Sequence, residues 1–306
     1  MSTTLTPETV TFTSGGDPID AWHFVGVGSA LASSAGRPVV VMAHGLGGTK
    51  DSGLREFAEP LARAGCDVLA FDYRGFGASG GSPRQTVSML RQLEDYRAAT
   101  QAARLLPGVD PARLVLWGVS LAGGHVFATA AGRDDVAAVV SLTPLVDGLA
   151  AGRHALASHT KRAMLRSSVE GFRSRIGSTR MMPVVARPGE LGALTLEGCL
   201  EDYLAIAGPT WLNEVDAAVG LELGGHRPGK LAKQVTCPVL VQIADFDRSA
   251  PPRAAAKAAF NARALVRHYP CDHFDVWTGK AWHAQVVRHQ VEFLTRLFAP
   301  ADVAVD

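Results

Sequence analysis

The stretch Gly118-Val119-Ser120-Leu121-Ala122-Gly123 follows directly on the apolar run 113–117. This pattern predicts a sharp turn from a strand into a helix, because the small residues on either side of the serine let the chain fold back on itself. Such a turn holds the serine in a strained backbone conformation and presents its hydroxyl group, as a nucleophile requires. A serine that only caps the following helix is the alternative interpretation, since so short a pattern also arises by chance.

Apolar and amphipathic segments alternate along most of the chain. The predicted strands are 9–13, 20–26, 38–43, 66–72, 113–118, 136–142, 237–244 and 264–269. The predicted helices of the same region are 52–64, 86–106, 121–131 and 281–298. Continuously apolar strands separated by helices predict an α/β fold with a mostly parallel sheet covered on both faces. Functional sites in such sheets lie at the carboxyl ends of the strands, where we expect Ser120.

The alternation stops between residues 144 and 233, a segment far longer than one crossover helix. We therefore predict a core formed by 1–143 and 234–306 and an inserted helical lid at 144–233. Helical stretches are predicted within the lid at 158–176, 196–206 and 214–223.

The charge of this lid is uneven. Its part from 153 to 187 contains eight Lys or Arg and one Glu, whereas 188–226 contains seven acidic residues and no Lys or Arg. Two explanations stay open at this stage. The basic part could attract an anionic substrate, or the two parts could pair with each other or across a homodimer.

The composition is that of a soluble globular protein. Of the 306 residues, 47% are hydrophobic and 19% are charged, and the formal net charge of +1 predicts binding to neither nucleic acid nor a membrane surface. The N-terminal sequence lacks the basic and apolar regions of a signal peptide, and no apolar run could span a membrane, so we expect a cytoplasmic protein. The four cysteines are scattered without a C-x-x-C pair, which predicts neither a zinc site nor a disulfide.

Three further motifs accompany the serine turn. A His-Gly-Leu-Gly-Gly run at 44–48 follows the third predicted strand, an acidic loop at 245–252 follows the seventh, and a histidine-containing loop at 269–273 follows the eighth. Together with the turn at 118–123, these motifs resemble those of the α/β-hydrolase family over nearly the whole chain. The resemblance implies an eight-stranded α/β-hydrolase sheet and a catalytic triad in the chain order serine, acid, histidine.

The resemblance also implies a role for individual residues. Ser120 is expected to be the nucleophile, His273 the base that accepts its proton, and Asp247 the acid that orients the histidine. Counting from the small residue that ends the preceding strand selects Asp247. Asp245, two residues earlier in the same loop, is the alternative acid.

In this family the oxyanion of the reaction is stabilised by two backbone N–H groups. The resemblance places them at Leu46, which follows the His-Gly pair, and at Leu121, which follows the nucleophile. Backbone donors suit this task because they are fixed in place before the charge develops. His44, Gly45 and Gly118 are expected to support the two turns.

The expected activity is hydrolysis of an acyl ester or thioester of a small molecule through an acyl-enzyme, without a metal or an organic cofactor. Serine peptidases and carbon–carbon bond hydrolases use the same triad, and non-catalytic ligand-binding members of the superfamily can retain it, so these alternatives stay open. A G-x-G-x-x-G pattern at 75–80 is also compatible with a dinucleotide site, but no helix opens directly after it, and the segment resembles a structural loop of α/β-hydrolases.

Overall fold

The computed structural model describes residues 4–158 and 161–300. Its strands are β1 (Glu8–Ser14), β2 (Asp17–Phe24), β3 (Arg37–Ala43), β4 (Asp67–Phe71), β5 (Val109–Val119), β6 (Ala138–Leu142), β7 (Met181–Met182), β8 (Val215–Asp216), β9 (Val239–Ala244) and β10 (Leu265–Tyr269). Its helices are α1 (Arg55–Arg63), α2 (Met89–Arg104), α3 (Leu121–Ala130), α4 (Gly148–Ser158), α5 (Lys161–Ile176), α6 (Cys199–Ile206), α7 (Val219–Gly225), α8 (Pro252–Asn261) and α9 (His283–Phe298), with a 3₁₀ helix at Pro228–Gln234.

Eight of these strands form one sheet in the order β1-β2-β4-β3-β5-β6-β9-β10. The six strands from β4 to β10 in that order run parallel, and β1 and β2 add an antiparallel hairpin at one edge. Every residue of β4, β6 and β9 is buried, as expected of parallel strands with helices on both faces. The predicted fold class, a mostly parallel eight-stranded α/β sheet, is therefore confirmed.

The direction of each crossover decides which face its helix covers. The connection through α1 leads from β3 to its neighbour β4, whereas the connections through α2, α3 and α8 lead in the opposite direction along the sheet. Because parallel crossovers are right-handed, these two groups of helices lie on opposite faces. The helix contacts agree with this arrangement, since α1 packs with α9 and α2 packs with α3.

A buried chain of hydrogen bonds connects α9 with three strands of the sheet. The indole Nε1 of Trp117 donates to Oε1 of Gln290 (3.0 Å), and Nε2 of Gln290 donates to Oε1 of Gln242 (2.7 Å). Nε2 of Gln242 in turn donates to the hydroxyl oxygen of Tyr269 (2.6 Å). Because Trp117, Gln242 and Tyr269 belong to β5, β9 and β10, this network fixes the relative positions of the strands that lead into the candidate site.

The segment 144–233, between β6 and β9, contains α4 to α7, the strand pair β7–β8 and all but the last residue of the 3₁₀ helix. The helix predicted at 158–176 corresponds to α5, which begins at Lys161, whereas α4 was not predicted; residues 159 and 160 lie outside the described ranges. The helix predicted at 214–223 is wrong in its first half, because Val215 pairs with Met182 as a strand. The core helix α8 is missing from the prediction.

Among the described helices, none is both long and apolar enough to cross a membrane.

Asp67 connects three strands at the start of β4. Its fully buried carboxylate bonds Nε2 of His23 in β2 (2.6 Å) and Nε of Arg37 in β3 (2.6 Å). Burial raises the pKa of Asp67, but the hydrogen bonds from His23 and Arg37 outweigh it, so the pKa lies below the usual value of 3.8. The stabilisation is therefore present above that usual value and is lost as the pH falls through the lower pKa of the folded state.

We predict that Asp67→Ala lowers the free energy of unfolding by about 3 to 5 kcal/mol, because it leaves buried polar partners without their acceptor. Urea unfolding followed by circular dichroism measures this change. Glu292→Ala is the matched control, since it removes the carboxylate of an exposed ion pair with Arg288 and should cost about 0.5 kcal/mol or less. Equal effects of the two substitutions would contradict the structural role of Asp67.

Candidate active site

Four loops meet at the carboxyl ends of the parallel strands. They follow β3, β5, β9 and β10, and they carry residues 44–48, Ser120, Asp247 and His273 in that order. At the ends of β3 and β5, Ala43 is paired with Gly118, so the first two loops begin side by side. The sheet thus brings together residues that are distant in the sequence, at the edge where α/β proteins place their sites.

Ser120 occupies the turn between β5 and α3 in a conformation that is rare for a residue with a side chain, with φ 57° and ψ −116°. Two glycines make this turn possible. A Cβ on Gly118 would lie 2.2 Å from the carbonyl oxygen of Ala122, and a Cβ on Gly45 would lie 2.8 Å from Cβ of Ser120. The N–H group of Ser120 donates to the carbonyl of Leu142 (2.9 Å), which holds the strained residue against β6.

The hydroxyl group of Ser120 contacts a histidine and, within the described residues, makes no capping bond to α3. Its Oγ lies 3.1 Å from Nε2 of His273, and Nδ1 of the same ring lies 2.6 Å from Oδ2 of Asp247. Because the carboxylate accepts the Nδ1–H group, Nε2 carries the lone pair and can accept the proton of Ser120. Oδ1 of Asp247 accepts the backbone N–H groups of Ser249 (2.8 Å) and Ala250 (2.6 Å), which fix the carboxylate.

The alternative acid, Asp245, lies on the same loop but faces a different histidine. Its Oδ1 is 2.6 Å from Nδ1 of His268, and both side chains are exposed to solvent. Asp247, by contrast, is only 3% exposed. The structure therefore brings Asp247, and not Asp245, to His273.

The two buried histidines of the site have pKa values shifted in opposite directions. Burial lowers the pKa of His273, but the charge and hydrogen bond of Asp247 raise it more, with a further contribution from Asp272, so it lies above the usual 6.5. Burial lowers the pKa of His44 to about 4. His44 is therefore neutral near pH 7, and its Nε2–H group donates to the carbonyl of Ser52 (2.8 Å) inside its own loop.

Leu46 and Leu121, the two residues whose N–H groups the resemblance selects, border the same cavity as Ser120. Leu121 is the first residue of α3, and the first N–H groups of a helix lack partners within it. Leu46 follows Gly45, the residue packed against Ser120. Both backbone segments are thus adjacent to the serine hydroxyl group.

Two aromatic side chains of the segment 144–233 hold the loop at 44–48, and the sequence analysis gave them no role. The hydroxyl group of Tyr203 donates to the carbonyl of Leu46 (2.8 Å), and the indole of Trp211 donates to the carbonyl of Gly47 (3.0 Å). The two rings stack on each other with centroids 5.0 Å apart. These bonds join residues separated by 157 and 164 positions, a distance over which no local sequence pattern could have revealed them.

A cavity of about 570 Å³ opens above Ser120 and His273. Most of its wall is apolar and comes from the segment 144–233; apolar lining residues include Leu145, Met182, Leu194, Leu196 and Val219. Arg153 and Arg248 also border it. Its size and lining are those of a small-molecule site with a few polar groups.

The polar groups of the glycine-rich segment that follows β4 are hydrogen-bonded to other residues of the protein. Asp72 accepts the ammonium group of Lys50 (2.7 Å) and the N–H group of Ala78 (3.0 Å). Asp95, at the distance where a dinucleotide site would need an acid, accepts Nε of Arg74 (2.5 Å) and the hydroxyl of Ser14 (2.7 Å). These contacts agree with a structural loop.

The arrangement of Ser120, His273 and Asp247 is typical of enzymes that use serine as a nucleophile. Residues 38–280 match the family of the alpha/beta hydrolase fold, and the chain therefore belongs to that family. The quorum-quenching protein AidA of Acinetobacter baumannii (strain MDR-ZJ06) is 37% identical over 264 residues, which are 85% of this chain and 86% of that protein.

A thiohydrolase, aneE of Aspergillus aculeatus, is 38% identical over 120 residues, which are 39% of this chain and 38% of that protein. Among solved structures, DcsB in complex with its substrate analogue has a TM-score of 0.78 at 21% identity, over 96% of this chain and 99% of that chain. At this identity the structural likeness shows the fold alone. Family membership and the hydrolase-named relatives identify the chain as a hydrolase.

The hydrogen bond from His273 to Asp247 predicts how the imidazole titrates. In the wild-type protein, the pKa of His273 should exceed 6.5, and Asp247→Asn should lower it, because the substitution removes the largest contribution that raises it. Asp245→Asn is the control and should leave this pKa unchanged, since Asp245 faces His268. NMR titration of the imidazole signals, with His273→Gln for assignment, measures the pKa. A wild-type value below 6.5 would contradict this account.

Proposed function

We propose that the chain is a serine hydrolase that cleaves an acyl ester or thioester through an acyl-enzyme intermediate. The observation that carries the proposal is the continuous hydrogen-bonded series from Ser120 through His273 to Asp247, at the base of an apolar cavity. A nucleophile, a base and an orienting acid in this geometry supply what acyl transfer to serine needs. No metal or organic cofactor takes part in the proposed reaction.

In the first half of the reaction, Oγ of Ser120 bonds to the carbonyl carbon of the substrate while its proton passes to Nε2 of His273. The N–H groups of Leu46 and Leu121 receive the oxyanion of the tetrahedral intermediate. His273 then gives the proton to the leaving alcohol or thiol as its bond to the carbonyl carbon breaks. In the second half, His273 takes a proton from water as the water oxygen bonds to the acyl carbon. It then returns this proton to Oγ of Ser120 as the bond between Oγ and the acyl carbon breaks and the acid leaves.

The apolar wall of the cavity supports an acyl chain as the bound group, because burying each methylene contributes about 0.8 kcal/mol. We propose that the segment 144–233 acts as a lid over this chain, since it supplies most of the wall and holds the loop at 44–48. The thiohydrolase name of one relative supports a thioester as substrate.

Ser120→Ala should abolish labelling by a fluorophosphonate probe and lower the hydrolysis of short acyl esters and thioesters by at least about 10⁴-fold. Ser178→Ala, which changes an exposed serine of the segment 144–233, is the control and should retain both activities. Labelling and steady-state hydrolysis measure the two effects. Labelling of another residue in Ser120→Ala would overturn the assignment of the nucleophile.

The same assay separates the alternative activities that share the triad. The panel contains esters, thioesters, aminoacyl amides and a carbon–carbon bond substrate with matched acyl groups. Faster turnover of the amide or carbon–carbon substrate would identify a peptidase or a carbon–carbon bond hydrolase instead. Tight binding of acyl compounds with only one slow turnover would identify a ligand-binding protein.

The contacts of the basic part of the lid support pairing within the chain over an anionic substrate. Arg173 and Arg180 both contact Glu170 (3.0 and 3.3 Å), and Arg175 contacts Glu222 (3.1 Å). The side chains of residues 161 and 162 lie outside the described part of the structure. We therefore propose a substrate without a required negative charge.

Neutral and anionic esters of the same acyl length should accordingly differ by less than about threefold in kcat/KM, with little change between low and high salt. Arg153→Gln, which removes one of the two exposed arginines at the cavity, should affect both esters equally. Steady-state kinetics at two salt concentrations measure these ratios. An anion preference that disappears in high salt and in Arg153→Gln would instead show that the basic part recognises the substrate.

A further inference from the structure

A second carboxylate links the two loops that carry Asp247 and His273. Asp272 precedes His273, and its Oδ1 accepts the backbone N–H group of His273 (2.8 Å). The same oxygen accepts the backbone N–H group of Arg248, which follows Asp247 (2.9 Å). One carboxylate oxygen thus connects the main chains on which both side chains depend.

The side chain of Arg248 completes this connection. Its Nε donates to Oδ2 of Asp272 (2.5 Å), and a terminal nitrogen donates to the carbonyl of Glu197 (3.1 Å) in the segment 144–233. Arg248 also borders the cavity above Ser120. The pair therefore joins the acid loop, the histidine loop and the cavity wall.

We propose that Arg248 and Asp272 form a positioning pair that holds His273 against Ser120 and sets the basicity of its imidazole. The inference rests on the proposed function, in which His273 is the base. Asp272 fixes the backbone of His273, and its negative charge acts on the imidazole together with that of Asp247. Arg248 neutralises this second charge, so that the imidazole feels mainly Asp247.

Two further titratable side chains contact these loops: Oδ2 of Asp275 accepts the backbone N–H group of Asp272 (2.9 Å), and Nε2 of His154 lies 3.2 Å from the carbonyl oxygen of Asp247. Both are retained in every variant below, so Asp272 and Arg248 are the charges that the experiment changes.

His44 is neutral, because burial lowers its pKa to about 4. The thiols of Cys199 and Cys271 are also neutral, because burial raises their pKa values to about 11 and 12. Burial raises the pKa of Asp272, but the hydrogen bonds from the N–H groups of Arg248 and His273 and the guanidinium of Arg248 lower this pKa by more. Its net value lies below the usual 3.8, so Asp272 is ionised near pH 7.

Removing Asp272 and removing Arg248 should shift the pKa of His273 in opposite directions. Asp272→Asn removes a negative charge and should lower this pKa by about 0.5 unit, which moves the acid limb of the kcat/KM profile to lower pH. Arg248→Gln exposes the charge of Asp272 and should raise the pKa and the acid limb by a similar amount. The double variant should titrate close to the wild type.

Both single variants should also lose about tenfold in kcat/KM at the pH optimum, because the loops are no longer fixed for the reaction. Arg133→Gln and Asp135→Asn form the matched control. These residues form a partly exposed ion pair (2.7 Å) before β6, at the opposite end of the strands, and their variants should leave the pH profile unchanged.

NMR titration of His273 and kcat/KM profiles against pH test the proposal, with circular dichroism to verify folding. Opposite shifts in the two single variants are expected. Shifts in the same direction, or no shift, would overturn the pair's role and leave only a structural contact. The NMR pKa does not depend on which residue is the nucleophile. A failed assignment of Ser120, which Ser120→Ala reveals, is therefore distinguishable from a failed proposal for Arg248 and Asp272.

Discussion

The strained backbone of Ser120 is the constraint on which the rest of the site depends. A residue with a side chain is held at φ 57° only if its neighbours leave no alternative, and the cost of such a conformation is about 1 to 3 kcal/mol. Gly118 and Gly45 allow the conformation because they have no Cβ: a Cβ at these positions would lie only 2.2 and 2.8 Å from neighbouring atoms. The same closeness places the loop at 44–48 beside the hydroxyl group, so that one steric requirement sets both the proposed nucleophile and the proposed oxyanion hole.

The acid and the base reach this serine from the loops that follow β9 and β10, the last two strands in the order of the sheet. Their positions depend on rigid parallel strands, and the buried network through Gln242 and Gln290 ties β9 to α9 and β5. A fully satisfied polar network inside an apolar core favours one arrangement, because any slip leaves a buried group without its partner. The segment 144–233 adds a further constraint through Tyr203, which holds the carbonyl of Leu46.

Much of this structure follows from local sequence patterns. The parallel strands were predictable because their apolar runs are continuous, and the turn at Ser120 because its small neighbours are a steric necessity. The segment 144–233 was harder to predict because its helices respond to distant partners. On α5, for example, Leu165, Val169 and Phe172 have helical spacing that normally marks a buried face, yet all three are exposed. Spacing identifies a helix, but only tertiary packing decides which side turns inward.

His44 and His273 show why a list of histidines could not by itself identify the base. Both rings are buried, and desolvation alone makes a histidine a weaker base. At His273 the buried carboxylate of Asp247 reverses this effect, whereas His44 donates to a neutral carbonyl and keeps its low pKa of about 4. The pairing depends on where the loops after β9 and β10 meet. The different pKa values of His44 and His273 are thus a consequence of strand order, because the neighbouring positions of β9 and β10 bring Asp247 to only one of the two rings.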